Sequence, residues 1–192
     1  MPLYTPVLAD PSGFQSAPTP GVLCETNHRY NISGSSQPTS GTLVIMAVSL
    51  QIGQVVGHMG FGTGTTATTA ASHWWTVLLD DTYTQQAHSA DQTTTNLAAS
   101  TWYSLAAVAP YTATYTGNYY LGLMIAVSSG STASILSPTF SPAGQLITGT
   151  NVPTPLVGGA STTGLTTPGT DGSTTYIAPT ATTPNYYMYA AA

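Results

Sequence analysis

Charge is what this chain lacks most. Asp, Glu, Lys and Arg together make up 4% of its 192 residues, where soluble proteins average about 25%. Lys is missing altogether, Arg29 is the single basic residue, and the acids leave a net charge of -5. That balance argues against nucleic-acid binding, which needs clustered Lys and Arg against phosphate. It also strips most catalytic classes of their acids, bases and cations. A lone cysteine, Cys24, rules out an intrachain disulfide and is expected as a small buried hydrophobe. Long apolar runs are missing too. The stretches Leu43–Leu50 and Tyr119–Val127 are about half of the ~20 residues that a helical span requires, so no membrane insertion is expected. The opening Met1-Pro2-Leu3-Tyr4 has neither a basic nor a long apolar region, so no signal peptide is expected. No segment carries a sustained helical period.

Thr, Ser, Gly, Ala and Tyr take the place of the missing charges. A free-standing protein normally carries more charge for solubility, so this surface suits a large ordered assembly or an exterior where charge attraction is unwelcome. Residues 1–21 form a Pro-rich arm whose proline density forbids a helix or a central strand. Strands are expected at Val22–Thr26, Thr42–Val48, Gln54–Phe61, Trp74–Leu79, Tyr83–Ala90, Trp102–Val108 (ending before Pro110) and Tyr119–Val127, with Ile135-Leu136 closing the sheet. Asn31–Gly41, Gly62–Ala71 and Asp91–Ser100 read as polar connections. The apolar content of Thr42–Val48 predicts burial on both faces. About eight short strands at this spacing predict an all-β, jelly-roll-like antiparallel sandwich over residues 22–137.

The stretch HWWTVLLDDTYTQQAHSADQ, residues 73–92, predicts a hairpin at the centre of that sandwich, turning at Asp80-Asp81-Thr82. Trp74 and Trp75 are strand neighbours, so one points inward and the other toward a face or an interface. From 138 to 192 the chain is rich in Thr, Pro and Gly and would struggle alone to bury enough surface to fix its shape. It ends in Tyr186, Tyr187, Met188 and Tyr189, a docking cluster for its own sandwich, a neighbouring subunit or another protein.

The order TSGTLVIMAVSLQIGQVVGHMGF, HWWTVLLDD, AHSADQTTT, TWYSLA and PYTATYTGNYYLGLMIA resembles a domain that recurs in tailed bacteriophages, especially those of actinobacteria. There it occurs in minor tail proteins, fibres and head-attached fibre or decoration proteins. The resemblance covers roughly Val22–Leu136. Its most specific parts are Trp74-Trp75, Ala90-Asp91-Gln92-Thr93 and Tyr115-Thr116-Gly117-Asn118-Tyr119-Tyr120. It implies a virion structural protein without a catalytic motif, assembled in the host cytoplasm, placed on the particle exterior and associated as a homotrimer with major capsid or tail proteins.

Candidate chemistry is sparse. His28, His58, His73 and His88 lack metal-ligand spacing, so no metal or other cofactor is expected. His88 and Asp91 are expected to share a hydrogen bond. Asp80 and Asp81 are adjacent on a strand end and suit a turn better than a paired-carboxylate site. No nucleophile elbow accompanies the Ser, His and Asp residues, so no enzyme is expected. Asn31-Ile32-Ser33 matches a glycosylation acceptor, a pattern that is frequent by chance. Twelve Tyr and three Trp leave two readings of the aromatics. They fill core and subunit interface, or they stack on host cell-surface glycan as in a receptor-binding module, with Trp75, Trp102, Tyr111 and Tyr115 as the contact residues.

Overall fold

In a computed structural model, residues 21–26, 32–138, 158–179 and 186–192 are described. Among them eleven strands run in order: β1 Val22–Glu25, β2 Ile32–Ser36, β3 Thr42–Leu50, β4 Val55–Gly62, β5 Ala71–Leu79, β6 Gln85–His88, β7 Trp102–Thr112, β8 Gly117–Val127, β9 Ile135–Pro138, β10 Gly158–Ala160 and β11 Met188–Ala191. No helix occurs among the described residues. The strands form a five-stranded sheet ordered β10-β3-β8-β5-β6, a four-stranded sheet ordered β1-β11-β4-β7, and a β2-β9 ribbon. Every pairing is antiparallel. The fold is an all-β sandwich, as composition and spacing predict.

Side chains alternate across a strand, and β3 shows what that produces. Val44, Met46, Val48 and Leu50 point into the space between the two large sheets, where Val56, Met59 and Phe61 of β4 meet them. Leu43 and Ile45 point the other way, into a second cluster with Trp75, Val77, Leu79, Tyr120, Met124 and Tyr176. Each fully buried Leu, Ile, Val or Met in these clusters contributes roughly 1.5–3 kcal/mol relative to exposure. An antiparallel sheet usually leaves one face wet. Here residues 161–179 lie as a strap over the outer face of the five-stranded sheet, bringing Leu165 and Tyr176 onto it, so the middle of the sheet is dry on both sides.

The Trp pair makes the same point. Trp74 enters the inter-sheet core, edge-on to Phe61 at 6.0 Å and to Tyr103 at 5.4 Å, and its Nε1–H donates to Thr95 O at 2.7 Å. Trp75 points outward, yet Tyr176 of the strap covers it with ring centroids 6.4 Å apart, and its exposure is 0%.

Several expectations change. The β5–β6 hairpin exists, but it lies at one edge of its sheet, and β8 holds the centre. The expected polar loop at Asn31–Gly41 contains β2, which pairs with β9. Strand β7 runs through Pro110, because Ala107–Pro110 bulge opposite the single residue Gly57. Proline is tolerated on an edge strand at a bulge, where no ladder donor is needed. The sandwich also extends past residue 137: the C-terminal segment supplies β10, the strap and β11. Residues 1–20 of the Pro-rich arm, His28 and Asn31 lie outside the described residues.

Strand β11 answers where the tyrosine cluster docks. It inserts between β1 and β4 of its own sandwich. Tyr186 and Met188 join the inter-sheet core. Tyr187 and Tyr189 face the outside of the four-stranded sheet, 6.3 Å apart between ring centroids. The Tyr189 ring lies across Gly60, where any Cβ would fall 2.4 Å from Tyr103 O, so only glycine fits. Its hydroxyl donates to that carbonyl at 3.1 Å.

Candidate functional site

The four aromatic candidates separate into three environments. Trp75 is buried, so it is corrected from a surface contact to a core residue: the strap removes the face it would have presented. Tyr111 and Tyr115 are half-buried and occupied with their own fold. Tyr115 stacks on Tyr119 at 4.6 Å, its hydroxyl donates to Asn118 O at 3.0 Å, and it accepts from the Asp81 N–H at 3.1 Å. Burial, with the charge of Asp81 behind it, pushes the Tyr115 phenol well above its ordinary value. Tyr111 packs edge-on against Tyr119 at 6.1 Å, and burial raises its phenol too. Trp102 alone presents an open ring, with 54% of its surface exposed.

Trp102 stands at the start of β7, on the outer face of the four-stranded sheet. Its ring crosses Gly62, where a Cβ would sit 2.9 Å from the indole and 2.5 Å from Leu136 Cδ1. Tyr187 meets it edge-on at 5.3 Å. The indole is therefore held from beneath and free above. Beside it, a groove of about 430 Å³ runs between the β2–β9 ribbon and the chain leaving β4. Gly64 permits the close approach, since a Cβ there would fall 2.3 Å from Ser35 Cβ.

Among the described residues the groove wall is hydroxyl-rich and uncharged: Ser33, Ser35, Thr63, Thr65, Ser100 and Thr101 line it with Ile32, Leu136 and Trp102. Two of those hydroxyls build the wall. Thr63 Oγ1 accepts from the Thr101 N–H at 2.8 Å and lies 2.8 Å from Ala98 O, and Thr101 Oγ1 donates to Ala99 O at 2.9 Å. Ser100 holds a φ of 50° while its N–H donates to Gly64 O at 2.7 Å. A non-glycine residue in that region is uncommon and costs of order 1–2 kcal/mol.

The polar candidates serve the fold. Asp80 Oδ1 accepts from the Thr82 N–H at 2.9 Å, the Thr82 hydroxyl at 2.6 Å and the Thr84 N–H at 3.0 Å, while Oδ2 accepts from Gln86 at 2.8 Å. That is the Asx turn the sequence predicts. The expected His88–Asp91 pair is replaced by two others. His73 Nδ1 lies 2.6 Å from Asp91 Oδ2, and His88 Nδ1 lies 2.8 Å from Asp171 Oδ1. Asp91 turns away from His88 because the chain leaving β6 runs back along β5, with the Gln92 N–H on Trp74 O at 2.9 Å. No group of three or more His, Cys, Asp or Glu converges among the described residues. Cys24 packs on the core, and burial pushes its thiol up to about 12.

Sequence reasoning missed the strap and its fastening. Gln85, fully buried, binds Gly169, Asp171 and Tyr176 through its amide. A lone Gln in QQAH gives no signal of such a role. The chain matches no protein-family model, no curated protein and no solved structure with which it was compared.

Proposed function

We propose that the chain is a non-enzymatic virion structural protein of a tailed bacteriophage, a capsid decoration or head-fibre protein or a minor tail protein. In this reading its sandwich self-associates as a trimer, latches to major capsid or tail proteins through its N-terminal arm, and sits on the particle exterior. One structural observation carries most of the support. With β2, β9 and β10 set aside, the remaining strands (β1, β3, β4, β5, β6, β7, β8 and β11) can be counted one to eight. Their sheets then read 1-8-3-6 and 2-7-4-5, the pairing expected when two Greek keys fold into a jelly roll, an architecture used in viral capsids.

The surface chemistry supports the same reading. Packing an exterior subunit against several neighbours desolvates whatever lies between them, and an unpaired Lys or Glu there costs several kcal/mol. A neutral hydroxyl costs less to bury than a charge, and aromatic rings are favoured in interface cores. A chain with 4% charged residues and a strap that already dries the middle of one sheet face suits such packing.

Immunogold labelling of intact particles, with antibody raised against the whole chain, tests the proposal. Label over the head is expected for a decoration or head-fibre protein and label on the tail for a minor tail protein. Particles that carry no label would sink it. Light scattering of the purified chain tests the trimer separately.

A further inference from the structure

We propose that the groove beside Trp102 is a binding site for a neutral saccharide. The first argument is the ring. Trp102 is 54% exposed, whereas Trp74 is 2% and Trp75 0%. A large apolar ring left in water at the mouth of a groove, and fixed from below by Tyr187 and Gly62, is a preformed platform that loses little freedom on binding. Sugar rings carry flat C–H faces, and an indole face suits such a surface while its N–H adds a polar handle.

The second argument is the unspent polar capacity. Ser33, Ser35, Thr65 and Ser100 are all exposed on the groove wall. Their side-chain hydroxyls make no hydrogen bond among the described residues, in contrast to Thr63 and Thr101. Each such hydroxyl can both donate and accept, which is what a ligand whose own groups are hydroxyls requires.

The third argument is charge. Among the described residues, no acidic or basic side chain lines the groove. Phosphate, sulfate or carboxylate ligands would find no cation to pair with among those residues, and a cationic ligand no carboxylate. A groove of about 430 Å³ falls within the ~300–1,000 Å³ range of small-molecule sites. An uncharged polyol with an apolar face meets all three conditions. This inference does not depend on where the protein sits: a chain absent from virions could still bind sugar, and a virion protein could fail to.

The three tryptophans make the test direct, because only Trp102 is open to a quencher. Acrylamide quenching of the intact chain would be measured with cellohexaose, maltohexaose, mannohexaose and galactohexaose in turn, and with a hyaluronan hexasaccharide as the acidic control. At least one neutral hexasaccharide is expected to protect the fluorescence at millimolar concentration, and the acidic one is not. Thr65→Arg, which keeps the reporter and fills an exposed part of the wall, should abolish that protection. Trp102→Ala, followed by ligand-observed NMR, should weaken binding at least about tenfold, and Trp102→Phe should recover part of it. Circular dichroism of each variant checks that the sandwich is intact. Protection by none of the neutral sugars overturns the proposal, as does protection that survives Thr65→Arg or binding unchanged in Trp102→Ala.

Discussion

Replacing Gln85 by Leu should loosen the strap by an amount that can be worked from its contacts. The Gln85 amide donates to Gly169 O at 2.8 Å and to Asp171 Oδ1 at 2.7 Å. Its carbonyl accepts from the Tyr176 hydroxyl at 2.7 Å and the Gly169 N–H at 3.2 Å. Leucine keeps the volume and removes all four bonds. Asp171 retains His88, and the Gly169 N–H retains the Tyr176 hydroxyl at 3.1 Å. Two groups are then stranded, the Tyr176 O–H and the Gly169 carbonyl. At ~1–3 kcal/mol for each unsatisfied buried group, and with Gly169 near enough to the surface to recruit water, the loss should be about 2–4 kcal/mol. Tyr176→Phe should cost about 1–2 kcal/mol, and the double variant less than the sum by about 1 kcal/mol, since both remove the same bond. Urea denaturation followed by circular dichroism gives these values. Hydrogen exchange over residues 161–179 shows whether the strap opens before the sandwich. A Gln85→Leu variant within about 0.5 kcal/mol of the parent, or strict additivity with Tyr176→Phe, would refute the clamp.

Removing residues 186–192 takes out β11, which bonds to β1 on one side and β4 on the other. The truncated chain is expected to lose cooperative thermal unfolding, and a melt like that of the full chain would contradict the central place of β11. Asp80→Ala removes all four side-chain bonds that hold the hairpin turn and should cost about 1–2 kcal/mol, the range for lost turn and capping contacts, measured by the same denaturation. Cys24 should stay unmodified by iodoacetamide at neutral pH until denaturant is added, because a thiol with a pKa near 12 holds almost no thiolate; rapid labelling of the native chain would contradict this. Burial raises the phenols of Tyr115, Tyr120 and Tyr176. Their stabilisation is complete below the ordinary tyrosine value and is lost as pH rises through the elevated folded values. Phenolate absorbance should therefore appear late and together with loss of β-structure, and a smooth early titration of all twelve tyrosines would oppose it.

Local chemistry was readable where the partner lies close along the chain. The Asp80-Asp81-Thr82 turn closes on atoms within a few residues, so the Asx geometry follows from residue type. The apolar density of β3 likewise announced a strand covered on both sides. The His–Asp pairing was misread because Asp91, three residues from His88, follows the chain back along β5 to His73. Proximity in sequence at a strand end says little about direction after the strand.

The amino-acid order by itself settled the all-β class, the hairpin, and the opposite directions of Trp74 and Trp75, since these depend on residue preference and on the two-residue period of a strand. Only the tertiary structure decided which of those directions would be wet. Trp75 is dry because Tyr176 comes to it from a Thr- and Gly-rich segment with no apolar period of its own. Trp102 is open because nothing among the described residues is laid over it. The tail cluster became an inner strand because β1 and β4 left a slot with unpaired backbone groups, and its alternation of Tyr186 and Met188 against Tyr187 and Tyr189 fits two unlike faces. Burial is a property of what arrives from elsewhere in the chain, and no local pattern carries that information.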